Sequence, residues 1–142
     1  MEPTETARRC ADAMFADDVA SRRLGIEISD VAPGRATATM TVGDDMVNGH
    51  GICHGGFVFT LADTAFAFAC NTYDDRTVAA GADVSFLEPV AAGERLTATA
   101  VERARRARSG LYDVTVVRAD GAVVAEFRGR SRSLGRPLLS VQ

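Results

Sequence analysis

Apolar and polar positions recur along this chain with two periods, and the switches between them outline its elements. From residue 4 to about 22, Ala7, Ala11, Met14 and Phe15 return at helical spacing among Arg, Asp and Glu. That pattern predicts an amphipathic helix, ended near Gly25. Period-two alternation follows over 24–30 and 35–42. In the second stretch Ala36, Ala38, Met40 and Val42 take one face and Arg35, Thr37, Thr39 and Thr41 the other. Pro33-Gly34 is the turn between them. Four more strands are predicted near 76–88, 94–108, 111–118 and 122–133. Pro89 to Gly93, Ser109-Gly110 and Asp120-Gly121 separate them, and Asp-Gly between alternating runs is a strong hairpin signal.

A different pattern lies in the middle. After a Gly- and Asn-containing loop over 43–53, residues from about His54 to Thr72 carry Phe57, Val58, Phe59, Leu61, Ala62, Ala65, Phe66, Phe68 and Cys70. A helix apolar on nearly every side is a buried one. Tight turns make neighbouring strands antiparallel, and one face of such a sheet needs cover. The expected fold class is therefore α+β, a curved antiparallel sheet wrapped around one long central helix. There is no repeat or linker, so residues 1–142 read as a single domain, with 1–22 as a helical N-terminal segment and 137–142 as a loose tail.

Composition narrows the function classes. The 142 residues are 46% apolar and 25% charged, an ordinary soluble composition for one core. A net charge of −3 argues against nucleic acid as the main partner. Every basic residue is Arg, which excludes Lys Schiff-base chemistry and a P-loop. The N-terminus has acids and no apolar core, unlike a secretory signal. Asp63 interrupts the best candidate for a membrane span. A cytoplasmic protein without membrane contact is expected. Cys10, Cys53 and Cys70 form no C-x-x-C pair, so neither a disulfide framework nor a metal site is expected, and no cofactor is implied.

The candidate chemistry sits at Asn48 to Asp63, N-G-H-G-I-C-H-G-G-F-V-F-T-L-A-D. Gly55 and Gly56 open the helix, where backbone N–H groups lack helical partners and the dipole adds partial positive charge. With no Cβ to obstruct a substrate oxygen, that is the material of an oxyanion hole. Asp63, a carboxylate in an apolar helix, is costly unless it is paired, hydrogen-bonded or used. Local bonds to Thr60 or Thr64 are the plain alternative. Eight residues separate Gly55 from Asp63, roughly 12 Å along a helix axis. One reacting group cannot touch both within one chain, so a shared reaction requires two helices packed antiparallel in a dimer. Asn48 is a side-chain donor or an ordinary Asn-Gly turn residue. His54 supports the loop more readily than it serves as a base, and Cys53 reads as packing. Arg103, Arg105, Arg106 and Arg108, with Arg128, Arg130, Arg132 and Arg136, form a solvated edge or, for two or three of them, a phosphate-binding set.

This stretch, with T-A-F-A-F-A-C-N through Asn71 and the later F-L-E-P-V at Phe86 to Val90, resembles the hotdog-fold acyl-CoA thioesterases. The phenylacetate-degradation (PaaI-like) branch is the most similar. The resemblance implies hydrolysis of an acyl-CoA thioester to free acid and CoA, with phenylacetyl- or hydroxyphenylacetyl-CoA favoured. It implies Asp63 as general base or nucleophile, Gly55 N–H as the carbonyl polariser, Asn48 as the group placing water or substrate, and His54 as the loop's support. Gly56, Thr64, Arg106 and Arg108 are expected on the substrate. The family shares its sites across a homodimer and pairs dimers into a homotetramer. Some relatives carry a hydroxyl on the strand after the helix; here Ala79, Ala80, Gly81, Ala82 and Asp83 precede the first one, Ser85. The rival classes are an acyl-CoA-binding hotdog protein without hydrolysis and a hotdog dehydratase or hydratase. The latter wants a His–acid pair that this chain does not present. Phe57, Phe59, Phe66 and Phe68 line an aromatic pocket or are plain core.

Overall fold

The computed structural model describes residues 1–139. Two helices lead in, α1 (Pro3–Asp17) and α2 (Val19–Arg23), where one continuous helix was expected. Asp18 makes the break. Its N–H closes α1 on the Phe15 carbonyl, and its carboxylate accepts the Ser21 N–H at 2.9 Å to start α2. Six strands and a third helix follow: β1 (Glu27–Ala32), β2 (Arg35–Thr41), α3 (Gly55–Cys70), β3 (Thr77–Phe86), β4 (Arg95–Arg106), β5 (Ser109–Arg118) and β6 (Val123–Ser133). All neighbours are antiparallel, in the order β1-β2-β4-β5-β6-β3. Register shifts leave an extra residue in β1, β3, β4 and β6, and such bulges bend strands and help the sheet curve. The expected α+β architecture is the one formed.

The central helix lies in the concave face. Leu61, Ala62, Ala65 and Phe66 of α3 meet the inward positions Ala38, Met40, Leu96, Ala98, Val114 and Phe127. Gly129 of β6 is what lets the helix sit this close. A Cβ there would come within 2.7 Å of the Phe66 ring, which is itself wedged against Tyr112 and Phe127. At the other end of α3 the Asn71 amide donates to the Thr77 carbonyl and accepts the Thr77 N–H, both at 2.9 Å. That clamp ties the helix end to the start of β3.

Three local expectations need correcting. The β4–β5 turn is Ala107-Arg108, with Arg106 paired to Ser109 and Ala107 at φ 52°. Gly110 lies inside β5, where Tyr112 and Ser131 crowd the space a side chain would need. Its glycine reports close packing, and reading it as a turn was wrong. The tail is held as far as it is described, since Leu138 and Leu139 donate their N–H groups to Asp74 Oδ1 at 3.0 and 2.7 Å; residues 140–142 lie outside the described residues. Finally, α3 is not buried all round. Gly56, Phe59, Thr60, Asp63 and Ala67 form a stripe left partly open by this chain's own sheet. Among the described residues no helix is long and apolar enough to cross a membrane.

Candidate active site

The loop before α3 is built on Asn48. Val47 and Cys53 bridge its two sides, the Asn48 N–H donates to Ile52 O at 2.8 Å, and the Gly51 N–H donates back to Asn48 O at 3.0 Å. The Asn48 side chain accepts the His50 N–H at 2.9 Å through Oδ1. That is Asx-turn geometry. It occupies the oxygen and leaves the Nδ2 donors without a partner among the described residues.

The loop delivers His54 to the helix start. Its N–H donates to Met46 O at 2.8 Å, and its Nδ1 accepts the Gly56 N–H at 3.0 Å. An accepting Nδ1 means a ring whose proton sits on Nε2. His54 is thus an N-cap, and the Gly56 amide, expected on substrate, is engaged by it. The Gly55 N–H has no acceptor among the described residues. Of the glycine pair, one donor remains, at the positive end of a sixteen-residue helix.

Asp63 stands on the open stripe of α3. Among the described residues it makes no hydrogen bond or ion pair. The two local candidates are otherwise engaged: the Thr60 hydroxyl donates to Gly56 O at 2.9 Å and the Thr64 hydroxyl to Thr60 O at 2.7 Å. Thr64 is buried and also lies 3.4 Å from the Ser21 hydroxyl of α2. It faces the N-terminal segment. Burial raises the Asp63 pKa above the ordinary carboxylate value, with no cation to oppose it.

Beside Gly55 runs a groove of about 340 Å³, walled by Asn48, Ile52, Val58, Phe86, Leu87 and Val90. A larger hollow of about 840 Å³ lies between α1 and β1, bordered by Glu5, Asp12, Glu27 and Asp30. It holds neither Gly55 nor Asp63, and its acidic border repels a polyphosphate, so the smaller groove is the candidate centre. Apart from Asn48, the sequence reading gave the groove's walls no role. Phe86 and Val90 stood in the F-L-E-P-V stretch, which carried only a likeness.

The other candidates sort by contact. Cys53 is buried and its thiol is pushed up by desolvation, away from thiolate chemistry. Phe66 and Phe68 are core, while Phe57 and Phe59 are half-buried. Ser85 pairs with Glu126 on the outer sheet face, opposite to the helix. Arg128 clasps Asp113 with bonds of 2.7 and 3.0 Å, Arg103 joins the same carboxylate at 3.4 Å, and Arg130 meets Asp83 at 3.1 Å. Arg105 lies over the Tyr73 ring, 3.8 Å from its centroid. Arg106 and Arg108 form no ion pair among the described residues. They stand on the β4–β5 hairpin beyond the C-terminal end of α3, the end opposite to Gly55.

Comparison with known proteins gives a consistent set. A family model described as the thioesterase superfamily matches residues 50–125. The acyl-coenzyme A thioesterase PaaI of Escherichia coli (strain K12) is 46% identical over 125 residues, 88% of this chain and 89% of that one. The solved structure of the E. coli PaaI protein from the phenylacetic acid degradation operon superposes with a TM-score of 0.94 at 43% identity, covering 96% of this chain and 99% of that one. A point mutant of the phenylacetic acid degradation protein PaaI from Thermus thermophilus superposes with a TM-score of 0.79 at 38% identity, covering 82% and 100%.

Proposed function

The chain belongs to the thioesterase superfamily, as a PaaI-like acyl-CoA thioesterase, and from that premise we propose that it hydrolyses aryl-acetyl-CoA thioesters at two sites shared within a homodimer. Phenylacetyl- and hydroxyphenylacetyl-CoA are the favoured substrates. One observation carries the shared site. The Gly55 N–H and the Asp63 carboxylate are both without partners among the described residues, yet eight residues of one helix hold them roughly 12 Å apart. Catalytic contacts need about 3 Å. A second copy, its helix antiparallel along the open stripe, places the partner subunit's Asp63 against Gly55. The helices then cross near Phe59, midway between positions 55 and 63. By the same register, the C-terminal end of the partner's helix comes beside the Asn48 loop. Its hairpin brings the partner subunit's Arg106 and the partner subunit's Arg108 to that side, where they meet the phosphates of CoA.

The chemistry follows from the charges. The thioester oxygen accepts the Gly55 N–H and faces the helix dipole, which stabilises the oxyanion as it forms. The partner subunit's Asp63 takes a proton from water, and the resulting hydroxide bonds to the acyl carbon. Alternatively the carboxylate attacks that carbon itself, expulsion of the thiolate leaves a mixed anhydride, and water then opens it. The C–S bond breaks, its electron pair leaves on sulfur, and CoA departs as a thiolate of ordinary thiol basicity. Asn48 Nδ2 holds the water or the substrate amide. Release of free thiol from phenylacetyl-CoA, followed with a thiol-reactive dye, tests the reading. Turnover is expected, and Asp63→Asn is expected to lower kcat about 10²-fold or more with a smaller change in KM. Tight binding without thiol release identifies a non-hydrolytic binder instead, and with an enoyl-CoA as substrate, loss of enoyl absorbance without free thiol identifies a hydratase.

A further inference from the structure

We propose that Phe86 sets the width of the slot beside the Gly55 donor and so selects acyl groups that are unbranched at the carbon next to the carbonyl. This rests on the thioester reading above. The ring of Phe86 points its tip at Gly55: a Cβ on that glycine would lie 3.0 Å from the ring's Cζ and 3.3 to 3.4 Å from the two flanking carbons. The aromatic edge therefore already touches the backbone that carries the free N–H. A carbonyl oxygen accepting from that N–H at about 2.9 Å puts its carbon and both substituents in the groove that this ring borders. One substituent is sulfur, and the other is the acyl α-carbon. A CH₂ passes such an edge, whereas an added methyl meets it.

The surroundings hold the backbone that carries the ring. Its strand position is pinned, since Phe86 pairs with Ala125 and the next N–H, that of Leu87, donates to Val124 O at 2.8 Å. Val58 and Val90, both buried, close the groove behind it. The ring itself is exposed (54% for the residue), so it is a wall of the groove and not a part of the core. An aromatic wall also suits an aryl-acetyl group, whose ring lies one CH₂ beyond the carbonyl and can pack against it.

Two non-hydrolysable phenylacetyl-CoA analogues, with a methylene in place of the sulfur and with or without an α-methyl group, test this by calorimetry. The wild type is expected to bind the unbranched analogue about tenfold or more tightly than its α-methyl counterpart. In Phe86→Ala the preference is expected to shrink to about threefold or less. Phe86→Leu, which restores bulk, should recover most of it. Equal ratios in wild type and Phe86→Ala overturn the proposal, as does failure of both analogues to bind the wild type. Thermal unfolding and sedimentation of each variant show whether it is folded and assembled. If Phe86→Ala is not, the Phe86→Leu and Phe86→Met ratios decide, and ratios unchanged from wild type overturn the proposal. Thiol release from phenylacetyl-CoA by the wild type is read separately. Its absence sinks the hydrolase reading, whereas turnover with an unaltered binding ratio sinks only the role of Phe86.

Discussion

At the scale of the residue, Asp63 is the group whose energetics and use are most tightly joined. Its pKa is raised because burial disfavours the charged form. The sign for stability follows. A raised folded-state pKa means that the folded chain holds the proton to higher pH than the unfolded chain does. The associated stability is complete below the ordinary Asp value and is lost as pH rises through the raised one. Asp63→Asn, uncharged throughout, is expected to melt above the wild type near pH 7 and to lose that advantage by about pH 4, as thermal scans at the two pH values can check. The same shift places the acid limb of kcat/KM above the ordinary carboxylate range; a limb at about 3.9 would contradict it. His54 gives a second residue-scale prediction. As the cap on Gly56, His54→Ala is expected to cost about 1 kcal/mol in urea unfolding, and His54→Asn, which keeps an acceptor, much less. The candidate chemistry was legible at this scale because Gly-Gly before an apolar run and one carboxylate inside it are local signals. The division of labour between Gly55 and Gly56 was not, because it turns on one rotamer of His54.

At the scale of the element, alternation and turn chemistry located every strand, since a half-buried antiparallel strand writes its two faces directly into the sequence. Errors fell where one side chain overrides a period. Asp18 carries no apolar signal, yet its carboxylate splits the N-terminal helix by capping the second half. Gly110 looked like a turn and is a packing position. Gly129 belongs to the same class, and Gly129→Ala is expected to be destabilising by about 1–3 kcal/mol, because the Phe66 ring that it would meet is locked between two other rings. A denaturant midpoint unchanged from wild type would show that α3 can lift off the sheet at little cost. The apolar sequence of α3 itself was read as burial within one chain. Under the dimer proposal, its open stripe of Gly56, Phe59, Thr60 and Ala67 carries no charge besides Asp63 because a second helix fits there, and a single sequence writes both kinds of burial in the same letters.

At the scale of the whole molecule, the proposed homodimer covers the open stripe of α3. Sedimentation equilibrium is expected to return two chains, or four if dimers pair, and an active single chain would contradict the shared site. The most direct measurement uses complementation. Asp63→Asn removes the acid. Gly55→Pro removes the donor while suiting the first helical position and the extended His54 before it (φ −60°, ψ 133°), with Phe86 giving by a few tenths of an ångström. Each homodimer is expected to be nearly inactive toward phenylacetyl-CoA. Unfolded together and refolded, the mixture should form hybrids in which one site of two keeps both groups, and recover about a quarter of wild-type turnover. Hybrids that form and remain inactive would mean that acid and donor do not act across the two chains.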